Sequence, residues 1–344
     1  MKFSVIIPCH NVSSYLRETL NSVERQTLAD YECICIDDGS TDDTGAILDE
    51  YAAKDSRIVV RHTVNAGVSA ARNMALGIAR GDYVCFLDGD DIWTSDWLQK
   101  MYDASDRGTV DIIRMDFTYW RENEKLPEFE LGEKVTYING GDNVLKWGWL
   151  TYTLHGFIWL NAIKRSLLRA FDIAFPMGMK INEDIIFNLS VLPYAKRVAQ
   201  SSYAGYFYRM RSTSAWHSAR PIEGCTRYLS EMISLWEKNK GELRKVGCDA
   251  QARKNITFMF YSAILQWLDF GVPDERSRKH EIAKLMHKAM VAEMLDYGAI
   301  PLYWRPAFAY LSHCESFALI IMTYRLLDVY HRVHVVLRRM ILSR

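Results

Sequence analysis

The sequence predicts an α/β fold, a mostly parallel Rossmann-like sheet covered on both faces, followed by an all-helical C-terminal domain. Three observations carry this. Short apolar runs of strand length alternate with helical runs from residue 3 to about residue 117, the rhythm of a parallel sheet with crossover helices. The run Tyr83-Val84-Cys85-Phe86-Leu87 reads as a strand buried on both faces and runs straight into Asp88-Gly89-Asp90-Asp91. After about Ala219 strand signals stop, and helical patterns occupy 223–238, 250–269 and 281–297. The break near His217–Pro221 divides the chain into domains 1–218 and 219–344.

Taken in order, residues 3–8 form a buried first strand. Ser13 or Ser14 is placed to cap a helix over 15–25, with Glu18 in its first turn. A second strand over 31–36 ends at Asp37-Asp38-Gly39-Ser40-Thr41-Asp42-Asp43-Thr44. A helix through Tyr51, a third strand over 58–61, a turn at 65–67 and an Ala-rich helix over 68–79 lead to the central strand. Residues 111–117 read as a further strand. From 118 to about 173 the pattern is irregular and rich in tryptophan (Trp120, Trp147, Trp149, Trp159), rings suited either to a core or to the C–H-rich face of a sugar.

Composition narrows the function classes. The 344 residues are 49% apolar and 24% charged, as in an ordinary globular protein. Forty-two basic and 42 acidic residues cancel, so no global field recruits nucleic acid. Seven cysteines show no Cys-x-x-Cys spacing, and Cys33 and Cys35 alternate along one strand as apolar fillers. That usage, with a strand at the very start, predicts a reducing cytoplasmic setting. The longest apolar run, 317–324, is far short of the ~20 residues of a membrane span.

The chemistry gathers at strand ends. Three carboxylates in the four positions 88–91 repel and raise one another's pKa unless a cation neutralises them. Hard oxygen donors on a short turn suit Mg²⁺ or Mn²⁺. The competing reading is an acidic turn in which Asp91 or Thr94 caps a helix over 96–102. Asp38 can cap its own turn or accept hydrogen bonds from a base or ribose. Glu183-Asp184, opening an apolar helix, complements a helix dipole at face value.

Taken together these motifs form a pattern. Pro8-x-His10-Asn11 and Asp37-Asp38-Gly39-Ser40-Thr41-Asp42-x-Thr44 are followed by Asn65-x-Gly67-x-Ser69-x-Ala71-Arg72-Asn73 and Phe86-Leu87-Asp88-x-Asp90-Asp91. In this order and spacing they resemble the nucleotide half of the family 2 glycosyltransferases, over roughly residues 1–215. The resemblance implies a GT-A fold, a nucleotide-diphosphate sugar donor and a Mn²⁺ or Mg²⁺ cofactor. It places Pro8, Asn11, Asp38 and Asn65 at the nucleotide, Asp38 meeting the base or ribose. Arg72 lies near the diphosphate, with Asp88 near ribose and metal and Asp90 in direct metal contact. Asp184 resembles the general base of inverting members, with Glu183 beside it. Gly205-Tyr206-Phe207-Tyr208-Arg209-x-Arg211-x-x-Ser214 resembles the segment that closes the catalytic domain. There Arg209 and Arg211 contact phosphate or hold the loop over the donor, and His217 is a third metal ligand or a diphosphate contact. One departure is Trp159-Leu160-Asn161-Ala162-Ile163, where many relatives carry Trp-Asn-Lys-Leu-Tyr; it withholds any transfer of sugar or acceptor specificity.

The function implied is inverting, metal-dependent transfer of a hexosyl or N-acetylhexosaminyl group to a saccharide or lipid-linked saccharide acceptor in surface-polysaccharide assembly. A UDP-sugar donor is favoured, with thymidine and guanosine nucleotides as alternatives. A nucleotidyltransferase would instead carry a Gly-rich basic loop after the first strand, which Pro8-Cys9-His10-Asn11 is not. A silent sugar-nucleotide-binding scaffold would not need to retain Asp38, Asp88, Asp90 and Asp184. Residues 317–344 set Leu326, Val333 and Leu337 on one helical face among five arginines. That face suits peripheral contact with the inner face of the plasma membrane, a second subunit in a homo-oligomer, or the protein's own core.

Overall fold

The computed structural model describes residues 1–121, 133–152, 156–179, 182–210 and 222–270, with parts of 281–296. The chain divides into two compact units, Met1–Ser218 and Ala219–Arg344.

The first unit opens with β1 (Phe3–Cys9), α1 (Ser13–Glu24), β2 (Tyr31–Asp38), α2 (Thr44–Lys54), β3 (Ile58–Thr63), α3 (Val68–Ile78) and β4 (Tyr83–Phe86). These are strand–helix–strand crossover units in sequence, and the strands are apolar on both faces because helices cover both. A two-residue β5 (Ile92–Trp93), α4 (Trp97–Ala104), β6 (Ile112–Arg114), β7 (Phe117–Arg121), β8 (Val135–Asn139) and α5 (Gly141–Tyr152) follow. The unit closes with β9 (Asn161–Lys164), α6 (Arg165–Ala170), α7 (Glu183–Val191), β10 (Arg197–Ser201) and β11 (Tyr206–Met210). Eight strands form one sheet in the order β3-β2-β1-β4-β9-β6-β10-β8, and β5-β11-β7 form a second.

The large sheet is parallel from β3 to β4, and β9 then inserts antiparallel between β4 and β6. The single strand expected over 111–117 is two. β6 stays in the large sheet, and after Met115 and Asp116 the chain enters the small sheet as β7 beside β11. Three local expectations are corrected. Ser13 and Ser14 lie inside α1 and cap nothing. Val12 occupies the cap position, and the free N–H groups of Val12 and Ser13 donate to Thr44 Oγ1 (2.9 Å) and Asp42 Oδ2 (3.1 Å) from the next crossover. Glu18 lies beyond the first turn of α1. Asp96, not Asp91 or Thr94, holds the cap position of α4.

Trp120, Trp149 and Trp159 are buried, which settles those three rings as core. Cys33 and Cys35 are buried side by side, their sulfurs 3.7 Å apart. In the second unit α8 (Ile222–Lys245) and α9 (Asp249–Phe270) pack on each other. Tyr228, Leu229, Met232, Trp236 and Leu243 of α8 are buried at helical spacing, as are Ala252, Ile256 and Phe260 of α9. Among the described residues no helix is long and apolar enough to cross a membrane.

Candidate active site

The site begins where the strand order reverses. From β1 the chain builds outward through β2 and β3, then returns to place β4 on the other side of β1. β1 pairs with β2 as far as Cys9↔Asp37, but with β4 only as far as Ile6↔Phe86. The last bond on the β4 side runs from Leu87 N–H to Ile6 C=O (3.0 Å). The next N–H facing that side would be that of Pro8, which has none, so the strands part there without an orphaned donor. A crevice at a switch point, outside the carboxyl ends of the strands, is where open α/β sheets bind ligands.

One wall is the tip of β2 with the turn before α3. Asp38 is buried, and its carboxylate accepts from the N–H groups of Ala66 and Gly67, both at 2.8 Å. Its first effect is therefore to hold the 65–67 turn against the sheet; contact with a ribose or base would use its remaining lone pairs. The approach is close. Gly39 has φ +66°, and a Cβ there would lie 2.6 Å from the Asn65 nitrogen. His10 donates from Nδ1 to the Asp38 carbonyl (2.9 Å), leaving Nε2 beside the Asn65 and Asn11 amides (3.2 and 3.3 Å). Asn11, itself at φ +51°, accepts from the Thr41 N–H at 2.8 Å. Pro8, Asn11, Asp38 and Asn65 are thus brought together on one wall.

The opposite wall is acidic. Asp91 is buried and accepts from the Tyr206 hydroxyl (2.6 Å) and the Arg209 N–H (2.8 Å). Burial, and then the charges of Asp90 and Asp88, push its carboxyl well above the usual range. Its place is between the acidic turn and β11, so it is not the cap of α4. Arg209 is committed within the protein. Its Nε donates to the Asp90 carbonyl (2.7 Å), its Nη2 pairs with Glu18, and its guanidinium lies over the rings of Trp120 and Tyr15 at 4.3 and 4.9 Å. It braces the backbone of the acidic turn, and Glu18, expected to serve its own helix, serves this brace.

Across the floor Arg72 gathers the remaining carboxylates. It is buried on α3, with Nη1 2.9 Å from Glu183 Oε1 and 2.7 Å from Asp184 Oδ1, and Nη2 3.2 Å from Asp88 Oδ1. Below it lie Phe175 and Phe187, stacked at 3.9 Å, with Phe86 edge-on to both. Asp184 Oδ2 accepts from the Ile158 N–H (3.1 Å). The loop carrying Ile158 is held by two buried amides. Asn161 Nδ2 donates to Asn188 Oδ1 (3.0 Å), and Asn188 Nδ2 donates to the Gly156 carbonyl (2.8 Å). Burial pushes the Asp184 carboxyl up to about 8, against the opposing pull of Arg72, with Glu183 and Asp88 adding to the rise. One guanidinium cannot neutralise three carboxylates in a buried place, so a proton is retained.

Asn73, next to Arg72, makes two bonds across the same junction. Its Nδ2 donates to the Phe175 carbonyl (2.9 Å), and its Oδ1 accepts from the Phe175 N–H (2.8 Å). The motifs that contain Asn73 and Tyr206 assign these two residues no role, and they offer Asp91 either as a third carboxylate of the acidic turn or as a helix cap. Their contacts are all to distant segments, which local patterns do not show. Arg211, His217 and the amphipathic stretch 317–344 lie outside the described residues.

Among the described residues no three His, Cys, Asp or Glu side chains come together as a metal centre. Asp88 and Asp90 form a pair of hard oxygen donors, and the pressure they exert on buried Asp91 marks excess negative charge in the turn. A divalent cation of the Mg²⁺ or Mn²⁺ kind fits that donor chemistry.

Residues 4–170 match the model of the family described as Glycosyl transferase family 2. The N-terminal unit belongs to this family. An uncharacterized glycosyltransferase of Bacillus subtilis, EpsJ, is 32% identical over 214 residues, which are 61% of this chain and 62% of EpsJ. Poly(ribitol-phosphate) beta-N-acetylglucosaminyltransferase TarS of Staphylococcus aureus is 30% identical over 213 residues, 60% of this chain and 35% of TarS. Those alignments span less than two thirds of either relative. A crystal structure of S. aureus TarS 1-349 in complex with UDP matches with a TM-score of 0.70 at 21% identity, covering 97% of this chain and 92% of that one. A second TarS structure holds UDP-GlcNAc (TM-score 0.67, 22% identity, covering 97% of this chain and 92% of that one). Mannosyltransferase PcManGT from Pyrobaculum calidifontis, in complex with GDP-Man and Mn²⁺, matches at TM-score 0.51 and 16% identity, covering 94% of this chain and 87% of that one. The family 2 unit has the GT-A fold.

Proposed function

We propose that this family 2 protein is an inverting, metal-dependent glycosyltransferase of polysaccharide biosynthesis. It moves a hexosyl or N-acetylhexosaminyl group from a nucleotide-diphosphate sugar, UDP-linked by preference, to a hydroxyl of a saccharide or lipid-linked saccharide. The observation that carries this reading is the convergence of Asp88 and Asp184 on the one Arg72 guanidinium. It brings the acidic turn and a carboxyl of raised pKa to one guanidinium. The UDP and UDP-GlcNAc bound by TarS support the donor class, and the activity of TarS as a poly(ribitol-phosphate) beta-N-acetylglucosaminyltransferase supports a cell-surface polymer as the product.

In this mechanism the nucleotide lies along Pro8, Asn11, Asp38 and Asn65. A cation held by Asp88 and Asp90 would neutralise charge on the departing diphosphate. The acceptor oxygen attacks the anomeric carbon, the bond from that carbon to the diphosphate oxygen breaks, and the hydroxyl proton passes to ionised Asp184. One displacement opposite the leaving group inverts the centre, so an α-linked donor yields a β product and no second carboxylate is needed as nucleophile. Arg72 orients Asp184 through its Nη1, with Glu183 sharing that nitrogen.

The test is NMR of the anomeric proton in product formed from a panel of UDP-, TDP- and GDP-sugars with Mn²⁺. A β linkage from an α donor is expected. Net retention would remove the single-displacement mechanism, and no turnover with any sugar nucleotide across a panel of acceptors would remove the activity.

A further inference from the structure

We propose that the end of the sheet opposite the donor crevice, where β1 and β4 begin, carries a second anion site, for a phosphate-bearing ligand, in a cavity of about 310 Å³ lined by Lys2, Arg107, Lys164, Arg165 and Ser166. The donor crevice lies at the carboxyl ends of β1 and β4. Lys2 and Asp82 immediately precede those same strands, so they stand at the strands' opposite ends, the seven residues of β1 away, or about 20 Å. β9 runs antiparallel to β4, and its last residue, Lys164, arrives at this same end opposite Tyr83. Four cationic side chains from three separate stretches therefore meet at one place.

They are held rather than merely near. The Lys164 ammonium donates to the Gly108 carbonyl (3.0 Å). Arg165 donates from Nε to the Gly81 carbonyl (2.6 Å), and this leaves both of its Nη groups to face a ligand. Lys2 lies over the Tyr102 ring at 5.1 Å. Arg107 sits in a run of three positive φ angles, 47°, 58° and 83° at Asp106, Arg107 and Gly108, a conformation unfavourable for the two residues with side chains.

The charge is not balanced from within. Among the described residues Asp82 is the one carboxylate lining the cavity. Lys164 has Asp111 only at 3.8 Å, and Asp106, the nearest acid in sequence to Arg107, is taken by Arg197 at 2.7 Å. Among the described residues Lys2, Arg107 and Arg165 have no ion-pair partner. Several cationic donors with planar guanidinium forks suit the oxygens of a phosphate. The volume exceeds that of a bare ion and matches a small phosphorylated group, whether a soluble phosphate ester or a lipid headgroup.

The test uses the full chain with Lys2→Gln/Arg107→Gln, two partly or fully exposed changes distant from the donor crevice, each variant checked for an unchanged melting temperature. Inorganic pyrophosphate is titrated calorimetrically with EDTA present, and flotation is run with phosphatidylglycerol and phosphatidylcholine vesicles. Saturable pyrophosphate binding weakened about tenfold or more per charge removed is expected. If binding is to free pyrophosphate alone, the ligand is a soluble phosphate. Recruitment to phosphatidylglycerol vesicles that the variant loses assigns a headgroup instead. Equal pyrophosphate and vesicle binding by wild type and variant, or no binding of either probe, overturns the site.

Discussion

Arg72 Nη1 and Asp184 Oδ1 lie 2.7 Å apart although 112 positions separate them in the chain. The contact joins the second turn of α3 to the first turn of α7. It also fixes the direction of the Asp184 carboxyl, because the Ile158 N–H holds the other oxygen at 3.1 Å. A carboxyl held at both oxygens can wait in one orientation for an acceptor hydroxyl, which is what a general base requires.

Asp184→Asn keeps the shape of this arrangement and removes the proton acceptor. Turnover is expected to fall by about 10²–10⁴-fold, the usual contribution of a positioned base. The dissociation constant of the nucleotide sugar should change little, since the donor wall is untouched. Single-turnover assays beside donor binding by calorimetry separate the two. Turnover of the variant within a few fold of wild type would remove Asp184 from the role.

The same carboxyl sets a pH dependence. Its folded value of about 8 lies above the ordinary 3.8, so below about 8 the free enzyme holds a proton that the base must lose. kcat/KM should therefore rise with pH to a plateau above about 8, and at pH 6 lie about a hundredfold below it. Arg72 opposes the rise, so Arg72→Gln should move the midpoint upward. The stability effect has a matching sign. Between about pH 4 and pH 8 the folded state binds a proton the unfolded chain has released, so this group's contribution to stability falls as pH rises through that window. A pH profile of kcat/KM in wild type and Arg72→Gln, beside urea midpoints over the same range, reads both.

The parts legible in sequence were those fixed by local chemistry. Strand period and turn residues located the tips at Asp38 and Asp88, and the helix after Gly67 was bounded within a residue. Spatial partners were not legible. Nothing near Glu18 in sequence announces Arg209, its partner 191 positions away. The four-residue β9, Asn-Ala-Ile-Lys, is too short and too mixed in polarity to announce a strand, and its antiparallel entry between β4 and β6 depends on tertiary packing. Trp159 illustrates the same limit: it stacks on Tyr206 at 4.3 Å and lies in the core, while its residue type fitted a sugar platform equally well.

Asp91 offers a test of the acidic turn's architecture apart from chemistry. Asp91→Ala leaves the buried Arg209 N–H and Tyr206 hydroxyl without their acceptor and should cost about 1–3 kcal/mol in urea unfolding. Asp91→Asn can still accept from the N–H and removes a buried charge crowded by Asp90 and Asp88. Its stability should stay within about 1 kcal/mol of wild type. Equal losses in the two variants would show that the charge itself, not the hydrogen bonding, supports the turn.

Metal dependence separates Asp90 from Asp91. The buried Asp91 oxygens are committed to Tyr206 and Arg209, whereas Asp90 engages Arg209 through its backbone carbonyl. A cation would therefore be met by the carboxylates of Asp90 and Asp88. Chelation with EDTA should lower turnover by about a hundredfold or more, and Mn²⁺ or Mg²⁺ should restore it. Asp90→Asn should raise the Mn²⁺ concentration for half-maximal turnover by more than about tenfold, because a neutral amide is the weaker ligand for a hard cation. Mn²⁺ binding by electron paramagnetic resonance reads the same shift without catalysis. Undiminished turnover after exhaustive chelation would leave Arg72 as the cation nearest the diphosphate and remove the metal from the mechanism.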